Sequence, residues 1–146
     1  MCDLDPANEP NGYDRLKSIQ PDHRQEHVEE ILSRSRVRYQ KRKAIQICRC
    51  FDIFESYGGQ KATKMALESC DGARAKLDFL LTFPGIGEKF SRNMIMDVYH
   101  VDFRNHIAID SRIQSITKAW GLAIEPYDAH EQFYLDVAEL AGIEGC

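Results

Sequence analysis

Apolar residues recur at spacings of three and four along nearly all of this 146-residue chain, and no alternating stretch competes with them. That periodicity excludes sandwiches, barrels and parallel sheets, and predicts an all-α fold. Residues 1–12, with Pro6, Pro10 and Gly12, read as an irregular lead-in, leaving 13–146 as a single helical domain. Pro21 and Asp22 open a helix whose Val28, Ile31 and Leu32 fall on one side. A longer helix is expected over about 38–57, with Ile45, Ile47, Cys48, Phe51 and Phe54 inward and a stop at Gly58-Gly59. Short helices follow over 61–69 and from an Asp71 cap to Leu81. After a sharp break at Phe83-Pro84-Gly85-Ile86-Gly87, helices are expected over 88–99, over 111–120 with Asp110 as N-cap and Gly121 as stop, and over 127–141. Tyr39, Phe51, Phe54, Phe79 and Trp120 all lie at core spacing.

Charge is unevenly spread. The chain carries 19 Lys+Arg against 23 Asp+Glu, a net −4 that argues against nucleic acid as a partner. The mean misleads, because the ends are acidic while Arg34, Arg36, Arg38, Lys41, Arg42, Lys43 and Arg49 form a run without an acid. Such a strip suits backbone phosphates and equally suits a solvated helix face. The five cysteines are scattered and lack a C-x-x-C pair, so reduced thiols are expected. No signal peptide and no apolar stretch of membrane-spanning length is visible, so a place in the cytoplasm (nucleoid-associated) or the nucleus is expected, not secretion; a monomer is expected as well.

The break at 83–87 carries the chemistry. Two glycines flank one apolar residue between two helices, an arrangement that lets another backbone approach closely. The unpaired N–H groups of the following helix start would then meet an anion such as a phosphate. Ile86 is expected to point inward and lock the helices, with Leu80, Leu81, Phe90 and Met94 around it. Lys89 falls in the first turn, where an amine can attack a sugar carbon or simply pair with phosphate.

The segments Leu81-Thr82-Phe83-Pro84-Gly85-Ile86-Gly87-Glu88-Lys89 and Ile107-Ala108-Ile109-Asp110-Ser111-Arg112-Ile113 resemble the helix-hairpin-helix (HhH-GPD) superfamily of DNA glycosylases, in its endonuclease III-like branch. The resemblance spans about residues 38–121 and sets the hairpin at about 72–99. It implies a bifunctional DNA glycosylase and abasic-site lyase of base excision repair, acting on double-stranded DNA with damaged bases or abasic sites. Lys89 matches the lysine that forms a Schiff base with the sugar, and Asp110 matches the carboxylate that stabilises the cationic sugar. Gly85, Gly87, Lys89 and Phe90 match positions whose amides hold a phosphate. The carbonyls of Leu81, Phe83 and Ile86 match those that cradle a monovalent cation; no cofactor is otherwise required.

The pattern departs from the family in three places. Lys89 and Asp110 stand 21 positions apart, a lengthening that falls around His100–His106. The family's four-cysteine iron–sulfur motif is absent, and the chain stops 36 residues after Asp110, at Ala141–Cys146, a stretch that reads as an interruption. The residues before Arg34 do not contain the polar segment that grips an extruded base. Cleavage at an existing abasic site needs less of the pocket, so lyase activity is expected to outlast base excision. A non-catalytic helix-hairpin-helix DNA-binding module, or an inactive truncated homologue, is the alternative. His23 and His27, four apart on one helix, lack a third metal ligand. His100 and His106 flank the lengthened loop and read as surface residues. No P-loop, Ser/His/Asp set or zinc motif is present.

Overall fold

Eight α-helices and one 3-10 turn make up the regular structure of the computed structural model, which describes residues 12–143; no strand occurs among them. The fold is all-α. The helices are α1 (Gly12–Ser18), α2 (Pro21–Arg34), α3 (Gln40–Ser56), α4 (Gln60–Glu68), α5 (Gly72–Leu81), α6 (Glu88–Met96), α7 (Ser111–Ala119) and α8 (Tyr127–Leu140), with the 3-10 turn at Val101–Phe103. The expected lead-in lies outside the described residues, apart from Gly12, which starts α1. Cys2 and the terminal residues 144–146 lie outside them as well.

Residues 12–67 with 83–85 form one compact unit. Helices α2 and α3 pack together, burying Val28, Ala44 and Phe51, and Phe83 is buried in the same unit. Tyr13 lies 5.2 Å from the Phe51 ring, while Phe54 lies 5.5 Å from Phe83. Arg24 does two things at once. Its guanidinium stacks 4.2 Å over Phe51, and its N–H groups donate to the carbonyls of Leu16 and Ile19 at the end of α1.

The inward face of α3 differs from the expected one. Ala44, Cys48 and Phe51 form the stripe, whereas Ile45 and Ile47 are each 37% exposed. Residues 44, 48 and 51 follow the helical period, and 45 and 47 flank that line on opposite sides. Ile31 of α2 is exposed for the same reason, to one side of the line through Val28 and Leu32. The stop at Gly58-Gly59 is as expected: Gly58 takes φ +92, Gly59 N–H donates to Phe54 at 2.7 Å and Gly58 N–H to Glu55 at 3.0 Å, a Schellman ending.

Residues 68–82 with 86–143 form the second unit. Helices α5 and α6 and the 3-10 turn pack pairwise, and Leu77, Leu80, Ile95, Phe103 and Ile109 are its buried apolar residues. Here too one face needs correcting. Helix α6 buries Ser91, Arg92 and Ile95, while Phe90 and Met94 are exposed and Ile86 is only half-buried. Helix α6 ends at Met96, three residues early, because Tyr99 adopts φ +53 and closes the helix: its N–H donates to Met96 and that of His100 to Ile95. Asp71 occupies the N-cap of α5 but makes no side-chain capping bond. Tyr39 and Trp120 are exposed, not core, and Phe54 and Phe79 are half-buried. No helix among the described residues is long and apolar enough to cross a membrane.

Candidate functional site

The turn between α5 and α6 is built around Gly85, whose φ is +90. A Cβ there would sit 3.0 Å from the Gln46 side chain, so both torsion and space favour glycine. Cys50 Sγ–H donates to the Pro84 carbonyl at 3.4 Å. Burial pushes the thiols of Cys48 and Cys50 up, which keeps both protonated and unreactive near neutral pH. Gly87 then enters α6 in extended conformation, and its carbonyl accepts the Ser91 N–H at 2.9 Å. No side chain caps this helix. The amides of its first turn, at Glu88, Lys89 and Phe90, therefore form an uncapped positive helix end, and the side chains of Lys89 and Phe90 are exposed beside it.

Helix α7 begins differently. Asp110 accepts the N–H groups of Arg112 and Ile113, both at 2.9 Å, and so caps the helix as expected. These bonds hold the Asp110 carboxyl below the ordinary carboxylate range. The Ile113 N–H contributes most, Arg112 N–H adds to it, and the positive charges of Lys89 and Arg112 act in the same direction against partial burial. Lys89 thus lies within electrostatic reach of Asp110. Two residues 21 positions apart in the chain bring an exposed amine and an ionised carboxylate to the starts of successive helices.

Sequence reasoning missed what stands behind this pair. Arg92, one turn along α6 from Lys89, is 1% exposed. Its guanidinium meets Glu88 Oε2 at 2.6 Å, Asp128 Oδ1 at 2.7 Å and Glu131 Oε2 at 2.9 Å, and stacks 4.3 Å over the Tyr127 ring. Glu131 is buried too; its other oxygen accepts the Ile107 N–H at 2.8 Å and meets His106 Nδ1 at 2.9 Å. Burial pushes the Glu131 carboxyl up, but His106, the Ile107 N–H and Arg92 outweigh it, and the net shift is downward. The Tyr127 hydroxyl accepts the Ile109 N–H at 2.6 Å and lies 3.3 Å from the Ile109 carbonyl. The available signal was an arginine on the buried stripe of α6, between Ser91 and Ile95.

Other candidates resolve into structural parts. His106 serves Glu131 and lies tilted against Phe103 with ring centroids 4.6 Å apart, and His100 Nδ1 accepts the Asp102 N–H. The connection between α6 and α7 is pinned by buried Lys76, which donates to Asp102 and to the Cys70 carbonyl, both at 2.7 Å. Thr117 donates to the Ile113 carbonyl within α7 and joins α7 to α8 by meeting His130 Nε2 and the Tyr134 hydroxyl. Leu81 closes α5, with Phe83 and Ile86 in the turn beyond it. Their neutral carbonyl oxygens are donors of the type a hard monovalent cation takes. Among the described residues no group of three or more His, Cys, Asp or Glu could hold a metal, His23 and His27 included. The seven basic residues from Arg34 to Arg49 are all exposed, with Arg34 paired to Glu30. An open groove of about 940 Å³ runs beside α8, lined by Arg104, His106, Glu131, Gln132 and Leu135 among others; neither Lys89 nor Asp110 lines it.

Comparison with known proteins gives no matching family model, no matching curated protein and no matching solved structure.

Proposed function

We propose that this chain is a helix-hairpin-helix DNA glycosylase with abasic-site lyase activity, working in base excision repair in the nucleoid or nucleus. One observation carries the reading: Lys89 stands at the uncapped start of α6 within electrostatic reach of an Asp110 carboxylate held ionised by its own helix. A free helix end offers N–H donors to a DNA phosphate, and that phosphate brings the neighbouring sugar to the amine. The exposed strip from Arg38 to Lys43, which lies in the other unit, is by itself suited to backbone phosphates without sequence preference.

In the lyase reaction the Lys89 amine adds to C1′ of the ring-opened abasic sugar, and loss of water gives an iminium. The iminium acidifies C2′. A base takes that proton, the electrons form the C2′–C3′ double bond, and the 3′ phosphate leaves with the C3′–O pair. Hydrolysis of the imine then returns the free amine. In base excision the N-glycosidic bond breaks first, the base departs with the bonding pair, and cationic charge grows on the sugar. An ionised Asp110 favours that state. A monovalent cation on the carbonyls of Leu81, Phe83 and Ile86 would add positive charge near the bound phosphate.

Borohydride trapping on duplex DNA with one abasic site tests the reading. The wild type gives a covalent adduct that Lys89→Gln loses while still binding the duplex. The exposure of Lys89 also suits a phosphate contact without chemistry. Binding with no adduct would establish that second reading, and neither binding nor adduct would overturn both.

A further inference from the structure

Asp110 has no reason of its own to stand near Lys89. It follows Ile107-Ala108-Ile109, a segment with no helix or strand bonds to fix it, at the end of the lengthened loop. Two side chains of α8 hold that segment by its main chain. Glu131 takes the Ile107 N–H, and the Tyr127 hydroxyl takes the Ile109 N–H. Both also engage Arg92, Glu131 by an ion pair at 2.9 Å and Tyr127 by ring stacking at 4.3 Å. Arg92 lies three residues beyond Lys89 on α6. The path from the amine to the carboxylate therefore runs Lys89, α6, Arg92, Tyr127 and Glu131, the 107–109 main chain, Asp110.

We infer that Tyr127, Glu131 and Arg92 are positioning residues that set the separation of Asp110 from Lys89, and so the rate of Schiff-base formation, without touching DNA themselves. The inference rests on the lyase reading for its rate, but not for its geometry. It follows from the arrangement of the bonds. Arg92 is buried with all its charge directed at acids, so it has no face left for a ligand. The bonds from Tyr127 and Glu131 go to the backbone on either side of Ala108, which fixes direction as well as position. A clamp on both sides of a single residue leaves the next peptide, that of Asp110, little freedom to turn.

The test uses the full chain with Tyr127→Phe, which keeps the ring over Arg92 and removes only the hydroxyl on Ile109. Thr117→Val is the comparator, because it loses buried hydrogen bonds between α7 and α8 that do not reach the 107–109 segment. Three quantities are measured for each variant. They are the melting temperature, the affinity for duplex DNA with one abasic site, and the single-turnover trapping rate with protein in saturating excess. The expected result is a rate at least tenfold lower in Tyr127→Phe with affinity changed less than twofold, and a wild-type rate in Thr117→Val despite a lowered melting temperature. A wild-type rate in Tyr127→Phe, or rates in both variants that simply track stability, would overturn the inference.

If the wild type forms no adduct, the lyase reading falls alone. An NMR titration of the Asp110 carboxyl then decides the positioning. Lys89→Gln raises its midpoint, and that rise shrinks in the Tyr127→Phe background and is unchanged in the Thr117→Val background; a full rise in Tyr127→Phe overturns the inference whatever the activity. Should Tyr127→Phe not fold, Glu131→Met, which takes the acceptor away from the Ile107 N–H, carries the same measurements, with the same outcomes for and against.

Discussion

Replacing Arg92 by Met takes apart the buried ion-pair cluster of the second unit. The substitution keeps an unbranched stem in the buried site and removes the guanidinium from three carboxylates. Those partners do not respond alike. The side chains of Glu88 and Asp128 are 40% and 55% exposed, so water replaces what they lose and each pair contributes about 0–1 kcal/mol. Glu131 is 6% exposed and cannot rehydrate. Stranding a buried carboxylate costs roughly 3–5 kcal/mol. With a urea dependence of about 2 kcal/mol per molar, the unfolding midpoint falls by roughly 2 M. Adding Glu131→Gln removes the stranded charge and retains an acceptor for the Ile107 N–H, so the double variant recovers part of the loss and ends about 1–3 kcal/mol below the wild type.

The pH dependence has a definite sign. In the wild type the Glu131 carboxyl is depressed, so its contribution is present above the ordinary carboxylate range and is lost as pH falls through the folded value. In Arg92→Met burial faces less opposition and raises the carboxyl. The variant is then penalised most near pH 7, and the gap to wild type narrows as the medium is acidified toward pH 4. Urea melts of the four proteins at both pH values form the assay. A loss under about 1 kcal/mol for Arg92→Met, or a double variant as unstable as the sum of the singles, would refute the reasoning.

Three further outcomes follow from the site. Asp110→Asn keeps a capping oxygen for Arg112 and Ile113, so stability by urea melt changes by less than about 1 kcal/mol while the trapping rate falls at least tenfold; Asp110→Ala loses both. Exchanging Lys41 and Lys43 for Gln lowers the slope of log affinity against log salt by up to about 1.8, read from binding curves between 50 and 200 mM salt, if both lysines meet phosphate. Gly85→Ala forces an L side chain into φ +90 against Gln46 and costs about 1–3 kcal/mol by thermal melt, with weaker DNA binding.

Element type was the most legible property of the sequence, and the helix faces the least. The helix stops came from local chemistry: Gly58-Gly59 and Gly121 both close helices where expected, and Asp110 caps α7 through its own side chain. Asp71, the same residue type before a helix, makes no such bond, so cap position and cap chemistry have to be read separately. On α6 the face drawn from apolar residues alone was off by one residue, about 100° around the helix; on α3 it held Cys48 and Phe51 but was drawn too wide. Ile45, Ile47, Phe90 and Met94 are exposed while Arg92 and Glu131 are buried, because hydrophobicity scoring assigns a paired charge to the surface whether or not its partner exists. The partner lies 39 positions away and only the fold supplies it. The Lys89–Asp110 pair was accessible for the opposite reason, since both residues sit at helix starts that the turn and the cap announce. The clamp behind them was not, because main-chain N–H groups of 107–109 carry no sequence signature.

The central claim is that Lys89 is the nucleophile. Borohydride-reduced adducts with abasic duplex DNA, digested with protease and nuclease and mapped by tandem mass spectrometry, test it most directly. The expected product carries a single modified amine, Lys89, with the nucleotide remnant on its Nζ. A remnant on any other amine, or an unmodified Lys89 in protein that binds the duplex, contradicts it.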